Sequence, residues 1–189
     1  MNKRAKAILH FWFKKTSHKE RFNKNEALDQ KIRDSFFKDY KKAANNEYDH
    51  WQNNSDECLA LIILLDQFSR NLFRNNEKAF ATDKKARKVA TKAIKQEFNK
   101  KITQDQIMFV FLPFMHSEEF HDQIYCGNLL NIYFKNHPNY KDAKKYAQLH
   151  KNIIKRFGRF PYRNKVLGRK STKEEKEYLN STYHDFFNI

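Results

Sequence analysis

With 189 residues and 23.0 kDa, the chain suits one domain (1–189) with a single good core. Its longest uninterrupted apolar run, 58–65, is eight residues, far short of the roughly 20 that a membrane-spanning helix needs. The formal charge of +16 favours non-specific contact with phosphates, but the lysines are scattered along every polar face. The excess of Lys, Asn, Phe, Ile and Tyr is also what an AT-rich coding sequence yields, so RNA binding ranks as the third functional reading.

From the N-terminus, MNKRAKAILHFWFKK has an apolar run broken by His10 and followed by no small-residue cleavage site, so no signal peptide is expected. Residues 26–44 predict a helix behind Asn25, with Leu28, Ile32, Phe36 and Tyr40 on one stripe. A second is expected from 56 to about 73, capped by Ser55. A third, 83–98, carries Ala86, Val89, Ala90, Ala93 and Ile94 on one side and lysines on the other. Thr103 and Gln106 form a capping-box pattern before an apolar helix that Pro113 ends or kinks. Ser117 is expected to cap the next helix, with Glu118 and Glu119 in its first turn. Asn139 opens 140–157, and Gly158 suits a left-handed C-terminal position. Ser171 with Glu174, or Thr172 with Glu175, starts a short last helix.

No β alternation appears. The expected fold is all-α, with helices packed as antiparallel neighbours around two segments apolar on all sides, 58–65 and 108–115. Cys58 and Cys126 have no CxxC or Cys/His spacing and predict buried thiols in a reducing cytosol. There is no HExxH, Walker loop, GxGxxG or GxSxG pattern, so neither metal nor cofactor is implied. A soluble cytoplasmic protein is expected.

The polar groups attached to the apolar helices are the candidates for chemistry. In LLDQFSRNLFR (64–74), Asp66, Arg70 and Arg74 recur every four residues with Gln67 and Asn71 beside them. They form either an Asp66–Arg70 ion pair with Arg74 exposed or a polar cluster facing a cleft. His116 stands where one apolar helix stops and another starts, a place that favours an anion; it is a capping or core histidine, or a catalytic one, with Glu118 beside it. His150 shares a stripe with Tyr146, Ile153 and Phe157, so it points inward, either as a satisfied core residue or as an acid–base group near neutrality. The loop 156–169 holds four of the ten arginines and two of the three glycines. Its guanidinium groups either staple the last helices to the core or hold an anion.

These same stretches carry a family resemblance: AILHFWF, DHW, LALIILLDQFSRNLFR, KAFATDKKA, FLPFMHSE, HKNIIKRFGRFPYRN and LGRKSTKEE. They resemble a family of mainly bacterial proteins known as domain of unknown function 924, nearly end to end. The resemblance implies a tetratricopeptide-repeat-like, all-α arrangement and supplies no activity or catalytic residues. Ser69 stands where that family usually has Pro, and the terminal STYHDFFNI resembles it weakly.

The leading expectation is an interhelical cleft that binds a small phosphate- or carboxylate-bearing ligand, with or without enzymatic activity. Its lining would be Asp66, Gln67, Arg70, His116, Glu118, His150, Arg159 and Arg163. Arg159 and Arg163 would grip the anion in bidentate fashion. Asp66 would orient Arg70 or a ligand amine, and His150 would exchange protons. The alternative is a helical scaffold for a peptide or protein, which would expose Trp12, Trp51 and Phe160 in a groove. Oligomeric state is not encoded legibly.

Overall fold

The computed structural model describes residues 1–181; the stretch 182–189, which holds most of the weakly matching C-terminus, lies outside the described residues. Among the described residues the chain is all-α, without a strand. The helices are α1 (Lys3–His10), α2 (His18–Phe22), α3 (Glu26–Ala44), α4 (Ser55–Ile62), α5 (Ser69–Leu72), α6 (Asp83–Lys95), α7 (Gln104–Met115), α8 (Phe120–Tyr133), α9 (Tyr140–Phe157) and α10 (Lys173–Leu179). Two π turns prolong helices without a break: Phe11–Lys15 after α1 and Ile63–Phe68 between α4 and α5.

Local chemistry sets the boundaries. The Asn25 side chain accepts the Leu28 N–H at 3.0 Å and opens α3. Helix α4 begins one residue earlier than the pattern suggests. Its cap is Asn54, whose Oδ1 takes the N–H groups of Asp56 and Glu57 at 3.1 and 3.2 Å, because an Asn there reaches two orphan donors at once. Gln106 Oε1 accepts the Thr103 N–H at 2.9 Å at the head of α7. Pro113 is carried inside α7 rather than ending it, so the carbonyl of Phe109 goes without that N–H donor. Ser117 does not cap α8, which starts behind Glu119. Its hydroxyl accepts the Glu119 N–H at 3.1 Å and donates to Asp122 at 2.6 Å. Of the two box patterns before α10, Thr172 with Glu175 forms, and Gly158 at φ +69° ends α9. Helix α2, which has no strong apolar period, owes its start to a Ser17–Glu20 box.

The apolar segments are central. Every residue of 58–65 is at most 1% exposed, and Phe109 through Met115 are buried as well. Helix α6 lies against both α4 and α7, α8 packs on α7, and α9 packs on α8. The N-terminal helices pair across the sequence instead: α1 sits on α4, and α3 sits on α5 and its π turn. Trp12, Phe36, Phe68 and Phe109 interlock where these groups meet, with ring centroids 5.3 to 5.9 Å apart in tilted or edge-on geometry. A separate small core of Ile153, Ile154 and Phe160, with Phe157 and Tyr178 against it, seats α10.

Candidate functional site

The π turn Ile63–Phe68 leads the most buried helix into the polar segment. A π turn holds one residue more than an α turn, and such turns gather at functional sites. Here the wide turn contains Asp66 and Gln67, and α5 follows with Arg70 and Asn71. Gln67, Arg70, Asn71 and Arg74 line a cavity of about 660 Å³, closed by α2, α7 and α9. His116 and His150 border the same cavity.

Asp66 is fully buried. Its Oδ1 lies 2.8 Å from His116 Nδ1, and its Oδ2 accepts from Gln67 Nε2 at 2.6 Å. A carboxylate only accepts, so the imidazole carries its proton on Nδ1 and presents Nε2. Among the described residues, no hydrogen bond occupies His116 Nε2. Burial alone would raise Asp66, but the charge and hydrogen bond of His116, aided by Arg70 and Gln67, hold it below its ordinary value. It therefore stays an anion and a fixed orienter for His116.

His150 faces His116 with ring centroids 6.5 Å apart. Its Nδ1 lies 2.9 Å from the Tyr146 carbonyl, which again places the proton on Nδ1. Burial pushes this imidazole down to about 3, against the Tyr146 hydrogen bond and reinforced by His116 and Arg163. His150 is therefore a neutral group at pH 7 and does not titrate near neutrality. His116, which the sequence pattern marks as a capping or core histidine or a catalytic one, has its ring fixed by a carboxylate at the edge of the cavity.

The arginines are placed differently from the expected anion grip. Arg70 donates to the Ala79 carbonyl and to Asp83, the latter at 2.8 Å, so it is not the ion-pair partner of Asp66. Arg74 forms a fork on Asp29 at 2.7 and 2.9 Å. Arg163 is buried, its guanidinium 4.6 Å from the Phe80 ring centroid and 4.5 Å from that of Phe160, with Asp83 at 3.6 Å. Arg159 pairs with Glu175 at 2.6 Å, and Glu118 is gripped by Arg169 at 2.6 and 3.0 Å while accepting the Phe160 N–H at 2.8 Å. Arg159, Arg163 and Glu118 thus stand outside the cavity wall. With Arg156 on Glu174, every arginine of the loop has an acidic neighbour, and the loop staples the C-terminal helices.

Other lining groups have no sequence signal that marks them. Lys19, Arg21 and Lys24 come from α2 and the turn after it, and Lys145 from α9. At the far end, His137 Nε2 lies 2.9 Å from Asp105 while its Nδ1 accepts the Asn139 N–H at 3.1 Å. Asp29 and Asp83 sit in helical first turns, where they read as ordinary N-terminal acids. No group of three or more His, Cys, Asp or Glu suited to a metal occurs among the described residues. Trp12, Trp51 and Phe160 are each fully buried, so they do not line an exposed aromatic groove. No helix among the described residues is long and apolar enough to cross a membrane.

Comparison with known proteins agrees with this architecture. No curated protein matches the chain. A solved structure described as a protein of unknown function, ATU0120 from Agrobacterium tumefaciens, is 37% identical. The match covers 94% of this chain and 97% of that one, with a TM-score of 0.86. The model of the family described as bacterial protein of unknown function, DUF924, matches residues 8–182. With nearly its whole length matched, this chain belongs to that family.

Proposed function

We propose that the cleft binds a small phosphate- or carboxylate-bearing molecule and that His116, oriented by Asp66, is the group that exchanges a proton with it. The observation that carries this reading is the 2.8 Å contact between buried Asp66 and His116 beside a cavity of about 660 Å³. A buried carboxylate on Nδ1 fixes the tautomer and leaves Nε2 to exchange the proton, as a positioned general base or acid requires. The lining carries six Lys and Arg residues against Asp105 and Asp142, a cationic excess that draws anions. Arg70 and Arg74 are fixed by Asp83 and Asp29, so they shape the wall, while Lys19, Arg21, Lys24 and Lys145 set the sign of the mouth. His150, neutral, supplies polar contact rather than proton transfer.

The test is a thermal-shift screen of phosphorylated and carboxylated metabolites on the wild-type chain and on His116→Gln, followed by calorimetry on the hits. A subset of anions should raise Tm, with affinity at least tenfold weaker in the variant. If no anion raises Tm, or the variant binds each hit as tightly, the reading fails.

A further inference from the structure

The cavity has a lining that a compact inorganic ion does not use. On α7 and at its C-cap, Asp105, Met108, Phe109, Leu112, Met115 and His116 all border it, a spacing that puts them on one helical face. The two ends of this face are polar. His116 is tied to Asp66, and Asp105 is tied to His137. Everything between is apolar, and Phe134 and Ala143 face it from the α8–α9 side. From Met108 to His116 the face runs about 12 Å at the helical rise of 1.5 Å per residue. At the mouth, Phe22 is 45% exposed, with its ring 6.0 Å from that of Phe109.

Size points the same way. A volume of about 660 Å³ equals roughly twenty waters at about 30 Å³ each and falls in the range of sites for organic ligands. Phosphate or acetate would displace only a few of those waters and leave the apolar wall wet. The chemistry that fills both parts is an elongated molecule with a charged end and a hydrocarbon body.

We infer that the ligand is an amphiphilic organic anion, its carboxylate or phosphate head at His116 and its apolar body laid along Met108, Leu112 and Met115. This deepens the anion-binding reading and rests on it. The head lies at His116, whose Nε2 takes the proton of the acid head and returns it, while the cationic lining draws the anion into the cavity. The body covers a wall that would otherwise be hydrated, and each methylene moved from water onto such a wall tightens binding about fourfold.

The experiment is a calorimetric series on the full chain, below micelle-forming concentrations: acetate, butyrate, hexanoate, octanoate and decanoate, with octyl phosphate and 1-octanol as controls. Affinity should climb about fourfold per methylene and level off once the wall is covered. Octanol should bind at least tenfold more weakly than octanoate, and the preference between octanoate and octyl phosphate identifies the head. Met108→Asn should flatten the chain-length dependence and leave acetate unaffected, and His116→Gln should erase the advantage of octanoate over octanol. Affinity that does not change from acetate to decanoate overturns the amphiphile and leaves the anion site standing. Octanol binding as well as octanoate removes the anionic head. Binding of none of the series overturns the amphiphile, while anion hits in the metabolite screen would still stand. A chain-length dependence unchanged in both variants places the binding elsewhere and overturns the proposal.

Discussion

Asp66 Oδ1 and His116 Nδ1 meet at 2.8 Å although 50 positions of sequence separate them. One comes from the π turn after α4 and the other is the residue that caps the C-terminus of α7. Because Asp66 is buried, its charge has no water to fall back on, and the contact ties the two central helices electrostatically as well as by packing.

Replacing Asp66 with Asn keeps the shape and removes that charge. The expected loss is about 2 kcal/mol at pH 7, in the range for a buried charge-assisted bond, read from urea unfolding. The folded carboxyl lies below its ordinary value, so its contribution is complete above the unfolded value near 3.9 and is lost as pH falls through the folded one. The deficit of the Asn variant should therefore be full at pH 7 and shrink below about pH 4. Equal urea midpoints for the two proteins at pH 7 would contradict the pairing.

His150 gives the opposite kind of pH signal from the usual histidine that gains a partner. Its folded value is near 3 against an ordinary 6.5, so between those limits the unfolded chain holds the extra proton. Stability should rise with pH across that window, by up to about 1.4 kcal/mol per unit for one proton, and level off above it. His150→Gln should keep a donor for the Tyr146 carbonyl and flatten this acid limb. An unchanged slope between pH 4 and 6 in the variant counts against a buried neutral imidazole.

Arg163 tests whether shape or charge matters in the loop. Its planar guanidinium lies against the Phe80 and Phe160 rings, which a Lys ammonium does not reproduce. Arg163→Lys should destabilise by about 2 kcal/mol despite retaining the charge, as measured by chemical denaturation. A loss under about 0.5 kcal/mol would show that the stacking contributes little.

Glu118 fixes the loop to the start of α8 through Arg169 and the Phe160 N–H. Burial raises its carboxyl, yet Arg169 and the Phe160 N–H together hold it below the ordinary value. Glu118→Ala should cost about 2 kcal/mol and speed amide exchange at Phe160. Glu118→Gln, which keeps an acceptor for that N–H, should protect the amide better. Equal protection in both variants would dissociate the backbone bond from the loop's order.

Capping and hydrophobic period made most helices readable: Asn25, the Thr103–Gln106 and Thr172–Glu175 boxes, Gly158, and the apolar segments 58–65 and 108–115 all mark real elements. The π turn left no trace, because a wide turn changes which carbonyl each N–H reaches without demanding a particular residue. The partners of the arginines were equally hidden. Asp83 meets Arg70 and Arg163, and Glu175 meets Arg159, from other elements, and local spacing records only neighbours on one helix. Lys19 of α2 and Lys24 after it carry no local mark of the cavity they line.

That wide turn also acts as a phase shift between two jobs of one continuous rod. Rewinding 63–68 as ordinary α-helix with no residue lost would rotate all that follows by about 100°, because the wide turn absorbs one residue. Arg70, Asn71 and Arg74 would swing off their acids while circular dichroism reported almost the same helix. Upstream, 58–62 would still hold its place in the interior. Cleft geometry can thus be lost here by a change of register alone, with helical content preserved.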